Sequence, residues 1–565
     1  MTGRGAGLLS AAVAGAAPLL LLAAAPQAPD VTFTELAPAA GIDFEQANSA
    51  TSNKYLLETM GGGVALLDYD NDGRLDVFFT NGARLEDPMP EGKAPDKSDR
   101  RFWNRLFHQE PDRTFTDRTE KAGLSGLAQD RYGMGTAVGD YDNDGFADLY
   151  VTGYGGNTLY HNEGNGTFRD VTARAGVGAS GWSASAGFFD YDNDGRLDLF
   201  VTRYVEWTFA KNGYCGEKKP GYRAYCHPDN YEATTSLLYR NHGDGTFEDV
   251  SAKAGLARAK GKALGVAFAD YDRDGHVDVY VANDSVQSQL FHNNGDGTFA
   301  EVGLLVGVGY NEDGKTFAGM GVDFADYDND GRPDLIVTDL SNERYRLFHQ
   351  GADASFQDAT NSSGVGAATL AFAGWSTGFI DYDNDGWKDV FVAQGHVMDT
   401  IEKTAPNLRY LQPPLLLRNQ SGRFARVSPG DVFRGEWAGR GAAFGDLDGD
   451  GDVDIVVSNV GQRALVLRND GGNRSRWLGL RTVGTRSNRD GIGCRVKVVS
   501  ASGPTQYFTV GTAVGYLSAS DKRLTVGLGA DATARLVEVR WPSGAVQTLE
   551  NVAAGLTVVV TEPAR

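Results

Sequence analysis

Asp68-Tyr-Asp-Asn-Asp-Gly-Arg-Leu-Asp76 places four carboxylates at positions 1, 3, 5 and 9 of a nine-residue stretch, and the chain repeats the pattern six more times. The full sets are Asp68, Asp70, Asp72 and Asp76; Asp140, Asp142, Asp144 and Asp148; Asp190, Asp192, Asp194 and Asp198; and Asp270, Asp272, Asp274 and Asp278. They continue with Asp326, Asp328, Asp330 and Asp334; Asp381, Asp383, Asp385 and Asp389; and Asp446, Asp448, Asp450 and Asp454. Like charges about 4 Å apart repel by about 1 kcal/mol in water and about 4 kcal/mol at an effective dielectric of about 20. A hard divalent cation with oxygen ligands turns that repulsion into attraction. The pattern therefore predicts calcium, up to seven ions.

A helix–loop–helix calcium site is excluded. It needs a bidentate Glu at position 12, where this chain has Phe79 in the first copy and Val151 in the second. The flanks Val64-Ala-Leu-Leu67 and Asp76-Val-Phe-Phe79 are short apolar runs of strand type, so each loop reads as a β-hairpin turn. Position 7 varies freely (Arg74, Phe146, Arg196, His276, Arg332, Trp387, Asp452), as suits a position that ligates through its carbonyl. Asn, Asp and Gly favour turns without any metal. Four fixed aspartates in every copy exceed that requirement.

Two further patterns recur with the loop. Leu159-Tyr-His-Asn-Glu-Gly-Asn-Gly-Thr-Phe168 returns as Leu238–Phe247 and Leu290–Phe299, and reads as a second hairpin. Phe168-Arg-Asp-Val171 followed by Ala175-Gly176 comes next. Two hairpins per repeat make a four-stranded propeller blade, and starts about 50–80 residues apart fit a propeller or solenoid. The last loop lacks the Phe-x-Asp-Val partner, whereas the N-terminal region holds an orphan copy, Phe33-Thr-Glu-Leu36 with Ala40-Gly41. This phase shift predicts that the N-terminal strand completes the last blade. A closed ring with no free edge follows, which a solenoid would not need. The fold class is all-β: a seven-bladed β-propeller with calcium-binding hairpin loops, plus a small C-terminal β-domain.

The predicted organisation is a signal peptide at 1–28, the propeller at 29–469 and the β-domain at 470–565. Arg4, the apolar run Leu8–Leu22 and the small residues Ala23–Ala25 form the leader. A membrane anchor is the alternative, against which Pro18 and the shortness of the run speak. The mature chain is then secreted or periplasmic. The formal charge is −21, of which seven calcium ions would offset about two thirds. The acidic remainder argues against nucleic acid and anionic membrane surfaces. An exported chain favours a disulfide between Cys215 and Cys226. A zinc site there has only His227 as a third ligand, and Cys494 reads as a buried free thiol.

Small-x-small triplets such as Gly61-x-Gly63, Ser183-x-Ser185 and Gly439-x-Gly441 precede each loop, where inner strands converge on an axis. Gly374-Trp-Ser-Thr-Gly378 matches a nucleophile elbow, but Ser376 only fills this small slot. His108, His161, His292 and His349 share one repeat position and read as packing or hairpin residues rather than a ligand cluster. Links after the second strands (Asn81–Arg105, Arg203–Ser236 and Gly395–Pro414) are long enough to suggest function. Tyr204, Trp207, Tyr214, Tyr222, Tyr225 and Tyr231 on the middle link suit a sugar or protein surface, or form a lid packed on the ring.

Loops of the form D-Y-D-N-D-G-x-x-D flanked by L-Y-x-N-x-G-D-G-T-F resemble the FG-GAP/VCBS repeats of integrin α-chain propellers. The tail, with Ser487-Asn-Arg-Asp-Gly-Ile-Gly493 and Trp541-Pro-Ser-Gly544, resembles an ASPIC/UnbV domain. The combination is similar to the cartilage acidic protein family. The resemblance implies an extracellular or periplasmic binding or adhesion protein, with the loop aspartates as calcium ligands and a protein or carbohydrate as partner. The alternative is an exported carbohydrate-active lyase or hydrolase, with Glu232, His396, Asp399 and Glu402 on the long links as candidates.

Overall fold

The structure, a computed structural model, describes residues 1–3 and 31–564. Except for its first three residues, the leader read over 1–28 lies outside them. Among the described residues, no helix is long and apolar enough to cross a membrane.

Each of the seven loops joins the first two strands of a four-stranded antiparallel sheet. In the first sheet the strands are Val64–Leu67, Asp76–Phe79, Arg105–Gln109 and Phe115–Asp117, paired in sequence order. The buried runs Val64–Leu67 and Asp76–Phe79 explain this local choice: with both faces covered, the strands are continuously apolar rather than alternating. The first strand of every sheet contacts the first strand of the next, and Gly439–Gly445 of the seventh contacts Val64–Leu67 of the first. The sheets thus form a propeller-like circle. In the seventh sheet the fourth strand is Thr32–Glu35, antiparallel to Leu465–Asp470 with Phe33 opposite Asn469. The phase argument from the orphan Phe33–Leu36 segment is met.

Neighbouring sheets are stapled at the loops. The Asn or Gln ending each third strand donates its side-chain amide to the position-2 carbonyl of the preceding loop. Asn162 reaches Tyr69 at 2.8 Å, Asn293 reaches Tyr191 at 2.7 Å and Gln109 reaches Leu447 at 2.9 Å. At position 4, Asn71 takes φ +59° and donates to the Gly145 carbonyl of the next loop at 2.9 Å. Asn tolerates this left-handed backbone better than bulkier residues. Gly449 at the same place in the seventh loop has no side chain, and there Arg523 Nη1 reaches the Gly73 carbonyl at 3.4 Å instead.

The C-terminal region forms a three-stranded and a four-stranded sheet around the buried side chains of Leu478, Val496, Val537 and Trp541. It rests on the loop face, where the Arg489 N–H donates to Asn143 Oδ1 at 2.7 Å and the Asp140 N–H donates to Asp490 Oδ2 at 3.0 Å. From it the segment 512–521 runs down the axis of the circle. Gly515 and Val322 exchange backbone hydrogen bonds at 2.8 and 3.2 Å. The Leu517 carbonyl accepts from Thr136 N–H at 3.0 Å, and the Val64 carbonyl accepts from Ala519 N–H at 3.0 Å. Ser376 Oγ and Ser185 Oγ accept from the Tyr516 and Leu517 amides at 3.1 and 3.0 Å. The small triplets therefore serve more than strand convergence. A Cβ on Gly63 would lie 2.5 Å from the Leu517 carbonyl, so these residues also make room for the plug. Ser376 belongs to this packing, as the sequence reading of the false elbow holds.

Candidate metal centres at the loops

The loops share one plan. In six of the seven the position-1 carboxylate accepts from the amides of positions 5 and 6, as Asp68 does from Asp72 and Gly73 at 3.0 Å each, whereas in the fourth the Asp274 N–H turns to Asp272 at 3.3 Å and an Asp270 oxygen is left without a partner. The position-9 carboxylate is buried. One Asp76 oxygen accepts from Tyr69 N–H at 3.2 Å and the other from Gln109 N–H at 2.8 Å. These bonds fold the loop back on itself and aim positions 1, 3 and 9 at one another. Asp68, Asp70 and Asp76 each bring an oxygen within 4.8 Å of the others.

The electrostatics call for a cation. Burial, and then neighbouring carboxylates, push Asp140 up to about 8 and Asp190 up to about 7. Burial pushes Asp278 up to about 8, and Asp198, Asp389 and Asp454 well above the ordinary carboxylate range. Carboxylate oxygens of Asp70, Asp192, Asp270, Asp383 and Asp448 are buried without a hydrogen-bond partner. Orphaned anionic oxygens at this density are costly unless an ion takes them. The residues present fit a hard divalent cation.

Two observations refine the sequence reading. The repeat-position histidines are not mere packing residues: His108 Nδ1 lies 3.0 Å from Asp76 and 3.6 Å from Asp70. His161, His292 and His349 approach positions 3 and 9 of their loops at 3.1–3.4 Å. Their carboxylate bonds raise His108, His161 and His349 above the usual imidazole range. The remaining three loops carry Arg there. Arg240 meets Asp192 at 2.8 Å and Arg418 meets Asp383 at 3.0 Å, while Arg468 turns to Asp470 at 2.8 Å. The signal was available, since the residue immediately precedes the Asn or Gln whose amide binds position 9.

On the opposite face, Cys215 and Cys226 form the disulfide; Cys494 is free and buried in the core of the C-terminal domain. Tyr204, Trp207, Tyr225 and Tyr231 of the middle link pack inward with Tyr55, Trp182 and Tyr516. These four aromatics pack the link onto the ring, with Tyr222 half-buried and Tyr214 exposed. Three of the four catalytic candidates take part in structural contacts. Asp399 pairs with Lys54 at 2.5 Å, Glu402 accepts from Tyr410 N–H at 2.8 Å, and Glu232 is exposed. His396 accepts from Met398 N–H at 3.0 Å, and burial lowers it to about 4.

A circle of four-stranded sheets with acidic hairpin loops defines an all-β repeat protein with candidate metal centres. Residues 68–151, 140–201, 229–281, 270–337 and 326–392 match the FG-GAP-like repeat, and 484–565 match ASPIC and UnbV. The chain belongs to the FG-GAP-like repeat family and carries an ASPIC/UnbV domain at its C-terminal side. Cartilage acidic protein 1 of Homo sapiens is 27% identical over 318 residues, covering 55% of this chain and 45% of that protein. The Xenopus tropicalis protein of that name is 27% identical over 331 residues, covering 56% and 47%. The chain thus spans less than half the length of these curated relatives. Among solved structures, an Agrocybe aegerita lectin recognising non-reducing terminal N-acetylglucosamine aligns at 17% identity, 76% and 93% coverage and TM-score 0.39. YCF48 bound to D1 peptide aligns at 9% identity, 72% and 91% coverage and TM-score 0.40.

Proposed function

We propose that this protein is an exported, calcium-stabilised seven-bladed propeller that acts as a non-enzymatic binding or adhesion module for a protein or glycan partner. The observation that carries the calcium reading is the convergence of buried, partly orphaned carboxylates in the repeated loops. The absence of a role in catalysis is supported by the commitment of Asp399, Glu402 and His396 to Lys54, Tyr410 and Met398. The propeller at 29–469 supplies the calcium sites, and the β-domain at 470–565 rests on the face that carries them.

Extracellular calcium sites have dissociation constants of about 10⁻⁴–10⁻³ M. At one to ten times that concentration each filled loop adds about 0.4–1.4 kcal/mol by mass action, or about 3–10 kcal/mol over seven loops. Melting in calcium and in excess chelator, with the bound metal counted by elemental analysis, tests the reading. Calcium at several ions per chain and a melting temperature several degrees lower in chelator are expected. Identical curves in the two media would refute it.

A further inference from the structure

Six of the seven loops carry at position 7 a side chain without negative charge: Arg74, Phe146, Arg196, His276, Arg332 and Trp387. The seventh has Asp452 there. Where the residue is Arg it reaches back to the position-5 carboxylate, as Arg74 does to Asp72, Arg196 to Asp194 and Arg332 to Asp330. Position 7 thus sets its side chain against the loop carboxylates, and in the seventh loop an acid stands where a guanidinium stands elsewhere. Asp452 has no exposed surface. Its Oδ2 accepts from the Asn473 N–H at 3.0 Å, and its Oδ1 is buried without a partner. The carboxylate adjoins that of Asp450 and lies within electrostatic reach of Asp446 and Asp454. Asp448 Oδ1, in the same loop, is also buried without a partner.

Little fixed positive charge offsets this set. Arg113 of the first sheet meets Asp448 at 3.1 Å from a largely exposed side chain. Arg468 is held by Asp470 at 2.8 Å and Arg523 by Asp521 at 2.6 Å. The third loop is the opposite case: its four carboxylates carry Arg196 on Asp194 and Arg240 at 2.8 Å from Asp192. A guanidinium keeps its charge throughout the range in which proteins fold, so it opposes an ion permanently. A fifth carboxylate also approaches the second loop, but both oxygens of Asp490 are taken, by the Asp140 N–H and by Lys522. Calcium affinity follows the number of charged ligands and the rigidity of the site. A cation in the seventh loop also favours the charged form of Asp452, so ion and carboxylate reinforce each other. The loop stays open to the ion on the side of Gly449, which is exposed.

We propose that the seventh loop is the tightest calcium site of the circle and the first to fill, with Asp452 as its fifth carboxylate. This rests on the calcium reading above and adds an order of loading to it. Asp452 acts through its charge and need not touch the ion. The place matters, because Asp454 accepts from the Asn469 N–H at 2.7 Å, and Asn469 lies opposite Phe33 of the closing strand. The first ion therefore steadies the seam of the circle before the other loops are loaded. The test is titration of the full chain with calcium in competition with a chromophoric chelator, with hydrogen exchange of Thr32–Glu35 followed at each calcium level. Wild type, Asp452→Asn and Arg196→Leu are compared, and melting in saturating calcium checks that the variants fold. Asn keeps an acceptor for Asn473, and Phe146 and Trp387 show that position 7 takes an apolar side chain. One site about tenfold or more tighter than the rest is expected, with the closing strand protected as that site fills. Asp452→Asn should lose the tight class while binding the same total, and Arg196→Leu should tighten one of the weaker sites. Sites of one common affinity, a tight class untouched by Asp452→Asn, or protection that waits for the weaker sites would overturn the proposal and leave the calcium reading intact. No calcium bound at any concentration would overturn both.

Discussion

Replacing Tyr516 by Ala tests whether the C-terminal domain and the circle are one cooperative body. Tyr516 is 1% exposed, its hydroxyl donates to the Met60 carbonyl at 2.7 Å, and its ring centroid lies 5.0 Å from that of Trp375. On the far side of the same network, Arg440 sits 4.0 Å from the Trp375 ring centroid. Truncating a buried aromatic to Ala costs about 3–5 kcal/mol, and the orphaned Met60 carbonyl adds about 1 kcal/mol. Unfolding entropy is about 2.1 cal/mol/K per residue, so a unit of roughly 530 residues loses about 4–5 °C. A C-terminal domain of roughly 90 residues melting alone would lose about 20–30 °C from its own transition. Tyr516→Phe, which removes only the hydroxyl, should lose about 1 °C. Scanning calorimetry in excess calcium reads all three. One transition shifted by a few degrees is expected; separate transitions in the wild type, or an unshifted Ala variant, would refute the interlocked arrangement.

Glu562 accepts from Thr485, Arg486 and Ser487 amides at 2.9, 2.7 and 2.9 Å, and these bonds and that of Ser543 hold it down to about 2 against the opposing effect of burial. Its folded value is depressed, so its stabilisation is complete above about 4.5 and disappears as pH falls toward 2. Glu562→Gln should lower the melting temperature at pH 7 and remove that part of the acid dependence. Glu58 behaves oppositely: burial raises it to about 7, so the folded state keeps a proton that the unfolded state releases above 4.5. Stability relative to Glu58→Gln should fall as pH rises from 4.5 to 7 and level off above, measured by melting at each pH. Opening the Cys215–Cys226 link by Cys226→Ser should cost about 3 kcal/mol in the loop-entropy account. Faster proteolysis within Arg203–Ser236, with calcium binding unchanged, would be the readout.

The repeated loops were legible because each is written within nine consecutive residues, and their phase located the closing strand around Phe33. The histidines were misread because His108 meets its carboxylate, Asp76, only across 32 positions of chain, although it directly precedes Gln109, whose amide binds the same side chain. The axial plug was invisible for a different reason. Thr512-Ala-Val-Gly-Tyr-Leu-Ser-Ala-Ser520 has no strand or helix period, and its partners Ser376 and Ser185 lie 140 and 332 positions away.

The hydrogen bond from Thr34 to Asp470 spans 436 positions, and this has a consequence for the nascent chain. The earliest of the described strands to be made stays without its mate until the third strand of the seventh sheet has emerged. Until then that sheet presents a bare margin, the kind of surface on which copies of a chain adhere to each other. The axial segment is translated later still. Closure of the circle therefore waits on strands made late in the chain, and non-local pairing of this kind is slow to form. An interrupted product keeps an open seam and an empty bore.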